Sequence, residues 1–210
     1  MSKDLYLVRH GQTIFNLKKI IQGWCDSPLT QLGREQAARA GAFLRARGVE
    51  PDHAYTSTLH RTEETIQSLW PGLLYERLDG LREWYFGDFE AERVMLMPTR
   101  PWRDFYKEFD GEGQMEVRGR MVRTLCDMME RPGHECVLAV SHASAIKEFD
   151  DHWKGDAADE RGRVPGNCAV LHYAYDNGAF KLVETFTQED YARELGLEPL
   201  DTAPRGPQRG

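Results

Sequence analysis

The chain has 210 residues, 40% hydrophobic and 29% charged, with a formal net charge of -7 and a pI near 5.5. That length and apolar content give one domain of ordinary size with a real core, and the acidic balance argues against nucleic acid or an anionic membrane as the main partner. No apolar run approaches the ~20 residues of a membrane helix. The N-terminal residues Met1-Ser2-Lys3-Asp4 pass into a strand without a signal peptide. The four cysteines, Cys25, Cys126, Cys136 and Cys168, show no CxxC pair and read as reduced, mostly buried thiols of a cytoplasmic protein.

In chain order, Leu5–Val8 is a continuous apolar run, which suits a strand covered on both faces. Thr30 caps a predicted helix to about Arg47, with Ala37, Ala40, Gly41 and Leu44 on one face and Gly48 as its stop. His53–Ser57 is a short strand by position. A helix over Leu59–Trp70 turns Thr62, Ile66 and Leu69 inward and ends at Pro71-Gly72. A short strand falls within Leu73–Leu81. Residues 84–113 are aromatic, charged and irregular, and read as an inserted lid with a short helix. Glu116–Glu130 is helical, buried through Val117, Met121, Leu125 and Met128, and closed by Pro132-Gly133. Cys136–Val140 is a second buried strand, followed by a helix from Ala143 to Trp153. Cys168–Tyr173 and Phe180–Glu184 form a hairpin around Asn177-Gly178. The expected architecture is α/β: a three-layer sandwich with a mainly parallel sheet, helices on both faces and the small insert. Residues 1–195 form the domain and 196–210, rich in Pro and Gly, a flexible tail.

Four motifs sit at the ends of these elements. Arg9-His10-Gly11 follows the first strand. Ligands bind where strands end in α/β sheets, the fork of an arginine grips two phosphate oxygens at once, a histidine can attack phosphorus, and a glycine lets backbone approach an anion. Ser141-His142 ends the second buried strand, so a shared parallel sheet delivers both histidines to one edge. Thr56-Ser57-Thr58-Leu59-His60-Arg61-Thr62 puts Arg61 at a helix N-terminus, where free N–H groups also favour an anion. Leu81-Arg82-Glu83-Trp84-Tyr85-Phe86-Gly87 packs a carboxylate among aromatics, surroundings that suit a proton donor.

With Gln12-Thr13, Asn16, Gln22-Gly23-Trp24, Asp26, Pro28-Leu29-Thr30 and Gly33 in order, these motifs resemble the histidine phosphatase superfamily, the phosphoglycerate mutase-like family, from Leu5 to about Glu184. The resemblance implies attack of neutral His10 on a phosphomonoester, a phosphohistidine intermediate, and Glu83 as proton donor and then base toward water. It implies that Arg9, Arg61 and His142 hold the equatorial oxygens, with Asn16, Gln22, Gly23 and the Ala143 N–H adding phosphate contacts. It implies no metal and no cofactor. Ala143-Ser144 stands where the family often has glycine, and His60 beside Arg61 is unusual.

Other readings of the same residues exist. An isolated His10 reads as a core histidine, and Arg61 alone as a solvated helix residue. Asp88 or Glu90 is an alternative to Glu83. A metal on His10 and His142 lacks carboxylate or cysteine ligands at useful spacing and would face two arginines. His134, His152 and His172 read as structural. The expected activity is hydrolysis of small phosphorylated metabolites. The alternatives are a cofactor-dependent phosphoglycerate mutase, disfavoured by the acidic run Asp88-Phe89-Glu90-Ala91-Glu92, a phosphoprotein phosphatase, and a non-catalytic module that binds phosphorylated ligands. Aromatics near the insert offer a surface for a homodimer.

Overall fold

Strand β1 (Lys3–Arg9) shows why the sheet is covered twice. Leu5 and Leu7 enter one core, with Tyr55, Val137, Ala139, Leu171 and Tyr173. Val8 enters the other, with Ala54, Leu138, Val140 and Val170. Successive side chains of a strand point to opposite faces, so an unbroken apolar run supplies both. The computed structural model describes residues 2–155, 158–159 and 162–200.

The remaining elements are α1 (Ile14–Lys18), α2 (Gln31–Ala46), β2 (His53–Ser57), α3 (His60–Leu69), β3 (Glu76–Leu78), α4 (Gln114–Glu130), β4 (Cys136–Ser141), α5 (Ala143–Lys154), β5 (Val170–Asp176), β6 (Ala179–Phe186) and α6 (Gln188–Leu195). The sheet runs β3-β2-β4-β1-β5-β6. The first four strands are parallel, and β5 and β6 are antiparallel. Helices α4 and α5 cover one face, and α2, α3 and α6 the other. The turn between β5 and β6 has positive φ at both Asn177 and Gly178, the pairing that matches strand twist in a two-residue hairpin. No helix among the described residues is long and apolar enough to cross a membrane.

Expectations change in the insert and at the thiols. The insert carries three short 3₁₀ turns (Gly87–Phe89, Val94–Leu96, Phe105–Phe109) rather than one helix. Its aromatics Trp84, Phe86, Trp102 and Tyr106 pack as core, shared with α4 and α5, and meet largely edge to face. Exposed large apolar side chains of the insert are Val94, Met95, Leu96 and one aromatic, Phe105. Of the free thiols only Cys168 is fully buried. In the expected tail, Gly196 closes α6 in the left-handed conformation, and residues 201–210 lie outside the described residues.

The glycines near the first motif serve backbone packing. A Cβ on Gly33 would lie 2.1 Å from the carbonyl oxygen of Gln12, and one on Gly11 would lie 2.4 Å from that of Gly33. The first turn of α2 is thereby pressed against the 11–12 loop, where Thr30 N also donates to Gln12 O. Alanine inside a helix is ordinarily favoured over glycine by roughly 1 kcal/mol. Here the clash with fixed backbone wins, so Gly33→Ala is expected to destabilise by about 1–3 kcal/mol. A urea midpoint that rises on substitution would contradict this packing.

Candidate active site

The C-terminal ends of β1, β2 and β4 converge. His10 follows β1 and donates its backbone N–H to Ser141 O, and its ring centroid lies 5.3 Å from that of His142. The side chains of His10, Arg61, Glu83 and His142 are all at most 4% exposed.

His10 Nδ1 is 2.8 Å from Gly11 O. A carbonyl only accepts, so Nδ1 carries the proton and Nε2 keeps the lone pair. Burial, reinforced by the charges of Arg61 and Arg9, pushes the imidazole pKa well below its ordinary value, so His10 is neutral at neutral pH. Asn167 Nδ2 donates both to His10 O and to Asn16 Oδ1. Asn16 also completes a capping box with Thr13 at the start of α1.

Arg61 reaches the site from the first turn of α3. Nε donates to His142 Nδ1 at 3.1 Å. Nη1 donates to Cys25 O and Asp26 Oδ1, both at 3.0 Å. Nη2 donates to Gly23 O at 2.7 Å and lies 3.5 Å from Gln22 O. All five guanidinium hydrogens thus have protein acceptors, and a phosphate oxygen on Arg61 would replace one of them. Arg9 differs: Nη1 donates to Pro165 O, while Nε is buried without a partner. Burial lowers its pKa to about 10, so it stays cationic at neutral pH.

His142 has Arg61 on Nδ1 and Ser57 Oγ 2.7 Å from Nε2. Burial, then the charge of Arg61, lowers its pKa well below the ordinary value. The neutral ring accepts at Nδ1, so Nε2 holds the proton and points it at Ser57. Ser57 and His142 therefore form no nucleophile–base pair, because the orienting third group is a cation that donates, where a serine hydrolase needs an acceptor. A phosphate oxygen taken by His142 would displace Ser57.

Glu83 is held by backbone. Oε1 accepts from Trp84 N at 2.9 Å and Ala145 N at 2.8 Å, and Oε2 accepts from Ser144 N at 3.0 Å. Ser144 and Ala145 belong to the first turn of α5, whose N-cap His142 supplies no side-chain bond. The carboxylate is a remote cap on a positive helix end. That places it beside His142, whereas Glu90 accepts from Gly23, Trp24, Cys25 and Phe86 backbone N–H groups and Asp88 is exposed. Of the three acids, Glu83 alone bonds the first turn of the helix capped by His142 and interacts with the Arg9 charge. Its surroundings are N–H groups as much as aromatic rings.

Gln22 is buried in the loop following α1: Oε1 accepts from Thr13 Oγ1 at 2.7 Å, and Nε2 lies 3.4 Å from Ser27 Oγ. Gly23 makes its close approach to protein, since a Cβ there would lie 2.1 Å from Glu90 Oε1. At Ser144, Oγ accepts from Arg100 Nη2 at 2.8 Å. Arg100, stacked on Trp102, is near enough to Glu83 for their charges to interact. Within the acidic run 88–92, Glu90 is enclosed by N–H groups, Asp88 and Glu92 are exposed, and a cation of the insert, Arg100, stands near Glu83. Ser57, Asn167 and Arg100 were not singled out from the sequence. Ser57 lay inside the second arginine motif. Asn167 had only its Gly166-Asn167 turn signal, and Arg100 had no signal at all.

The buried histidines give a stability signature. His10, His142 and His134 all have folded pKa values lowered from 6.5, each chiefly by burial. The unfolded chain then binds more protons, so their contribution is present above pH 6.5 and is lost as pH falls below it. Glu148, raised by burial, opposes this, one group against three. The urea midpoint is expected to fall as pH drops through 6.5 toward the carboxylate range; a flat or rising midpoint would contradict these environments.

A model of the histidine phosphatase superfamily (branch 1) matches residues 5–188, and the chain belongs to that superfamily. It is 44% identical over 96 residues to a 2,3-bisphosphoglycerate-dependent phosphoglycerate mutase of Brucella ovis, a match covering 43% of this chain and 47% of the mutase. The chain thus spans about half the length of the curated relatives it matches. Among solved structures, Bacillus stearothermophilus YhfR is 31% identical, with a TM-score of 0.74 over 85% of this chain and 94% of that one. A phosphoglycerate mutase from Bacillus anthracis, 23% identical, shares the fold with a TM-score of 0.77 over 92% of this chain and 96% of that one.

Proposed function

We propose that the chain hydrolyses phosphomonoesters of small metabolites through a phosphohistidine on His10. The observation that carries this reading is the His10 hydrogen bond to Gly11 O, which leaves Nε2 unprotonated beside two arginines. Nε2 attacks phosphorus and the ester P–O bond breaks. The leaving oxygen takes a proton from Glu83, which enters the cycle as the carboxylic acid with its proton on Oε2, the oxygen that has a single N–H partner. Water then attacks phosphorus, the P–N bond breaks with its electron pair returning to Nε2, and Glu83 receives the water proton. Arg9, with its unpartnered Nε, and Arg61 supply positive charge where the phosphoryl oxygens gather it, a role that needs no metal. Asn16 acts through Asn167 on the His10 backbone, and the Ala143 N–H adds to the α5 N-terminus that faces the phosphoryl group.

A second reading, mutase activity, is favoured by Arg100. A cation near the leaving-group acid suits a substrate with a second anionic group, and the Brucella relative carries a mutase name. Phosphate release from a panel of phosphomonoesters including the phosphoglycerates, with chelator present, separates the two. Release in chelator supports hydrolysis. Isomerisation of 3- to 2-phosphoglycerate without release supports the mutase, and neither activity leaves a module that binds phosphorylated ligands.

A further inference from the structure

Residues 22–25 lie between opposite charges. Their N–H groups face the Glu90 carboxylate: Oε2 accepts from Gly23 N at 3.1 Å and Cys25 N at 2.9 Å, and Oε1 accepts from Trp24 N at 2.9 Å. Phe86 N, from the insert itself, donates to the same Oε1 at 3.1 Å. Their carbonyls face the Arg61 guanidinium, with Gly23 O at 2.7 Å and Cys25 O at 3.0 Å. The Gly23–Trp24 peptide is thus aligned between the Glu90 anion and the Arg61 cation, and the Gln22–Gly23 peptide more weakly, with Gln22 O 3.5 Å from Arg61 Nη2. The fit is close, since a Cβ on Gly23 would strike Glu90 Oε1 and Trp84 O. The flanking backbone is laced to the same stretch of the insert, Ala91 N donating to Ile21 O and Ile21 N to Glu92 O.

We propose that Glu90 is a positioning residue for the phosphoryl site: it fixes the 22–25 loop, and the loop's carbonyls set the place and orientation of the Arg61 guanidinium. Glu90 touches neither histidine nor the reacting atoms, and its whole effect passes through Arg61. The proposal rests on the phosphoryl-transfer reading for what Arg61 does, but not for where Glu90 holds it. Glu90→Gln keeps the side-chain shape and turns one acceptor oxygen into a donor that opposes backbone N–H groups, so part of the clasp is lost.

Two readouts test it on the full chain. The first is the Arg61 Nε–H resonance, identified by its absence in Arg61→Lys. In Glu90→Gln it is expected to shift and to exchange faster with solvent, while the exposed control Glu92→Gln leaves it in place. The second is affinity for inorganic phosphate, which should fall about tenfold or more in Glu90→Gln and change little when the same substitution is made in an Arg61→Lys background, where the positioned group is gone. An unmoved Arg61 resonance overturns the proposal. So does a loss of phosphate affinity that is equally large with and without Arg61, which would mark Glu90 as a structural residue acting elsewhere. A resonance that moves in a protein whose wild type binds no phosphate supports the link from Glu90 to Arg61 and overturns the proposed function instead.

Discussion

Replacement of His10 by alanine is expected to lower kcat for every phosphomonoester the wild type accepts by on the order of 10⁴–10⁶-fold, the scale seen when a covalent nucleophile is removed. The reason lies in the tautomer. With Nδ1–H committed to Gly11 O, Nε2 is the basic atom, and burial beside Arg61 and Arg9 keeps it unprotonated well into the acid range. The neighbouring candidates are less suited. His142 carries its proton on Nε2 and accepts from Arg61 at Nδ1, so it offers no free lone pair. Cys25 has its thiol pushed up to about 12, chiefly by burial, which leaves almost no thiolate at neutral pH. Steady-state kinetics of His10→Ala, with His10→Asn as a variant closer in size, checks this; retention of activity within about tenfold would move the nucleophile elsewhere.

The second large effect concerns stability. Arg61 is fully buried and links α3 to Gly23, Cys25, Asp26 and His142. Arg61→Ala leaves those carbonyls, the Asp26 carboxylate and His142 Nδ1 without their donor, and is expected to cost about 3–5 kcal/mol of unfolding free energy, the range for breaking a buried ion pair from one side. Asp26 is partly exposed, so water recovers some of its share and the lower half of the range applies to that contact. Urea denaturation of Arg61→Ala and Arg61→Lys checks it. The lysine variant keeps the charge but not the fork, and should fall between wild type and alanine. A loss below about 1 kcal/mol for alanine would mean that the clamp does little for the fold.

The strands and helices α2 to α5 were legible because their signals are long-range patterns in the sequence. Leu5–Val8 and Val137–Val140 read as strands from unbroken apolar runs, and α2 from Thr30, its apolar face and Gly48. Helix α1 was missed because five residues are too few to show a period, although Thr13 and Asn16 form its cap. Helix α6 was missed despite a readable capping pair in Thr187 and Asp190. The insert could not be read, since 3₁₀ turns have no amphipathic stripe and its order comes from aromatic contacts with α4 and α5.

At the site, His10, Arg61 and His142 were visible as residues placed at strand and helix ends, and the structure brings them together with Glu83 and Arg9. Their partners were not visible. Glu90 and Arg100 act across about 65 and 44 residues of sequence respectively, and charged side chains of the insert look alike until the fold shows which one meets backbone N–H groups and which one meets Ser144. The parts of the acidic run could not be told apart for that reason: formal charge along the chain says nothing about which carboxylates meet backbone N–H groups, as Glu90 does, and which face solvent, as Asp88 and Glu92 do.

The central claim is that phosphorus is transferred to His10 Nε2. The most direct measurement is to mix the protein with a phosphomonoester it turns over, quench under alkaline conditions that preserve phosphohistidine, and locate the phosphoryl group by mass spectrometry, with NMR to assign the ring nitrogen. Phosphate on His10 at Nε2, formed and lost at rates consistent with turnover, is the predicted result. Turnover without a phosphoenzyme, or phosphate on another residue or on Nδ1, would contradict it.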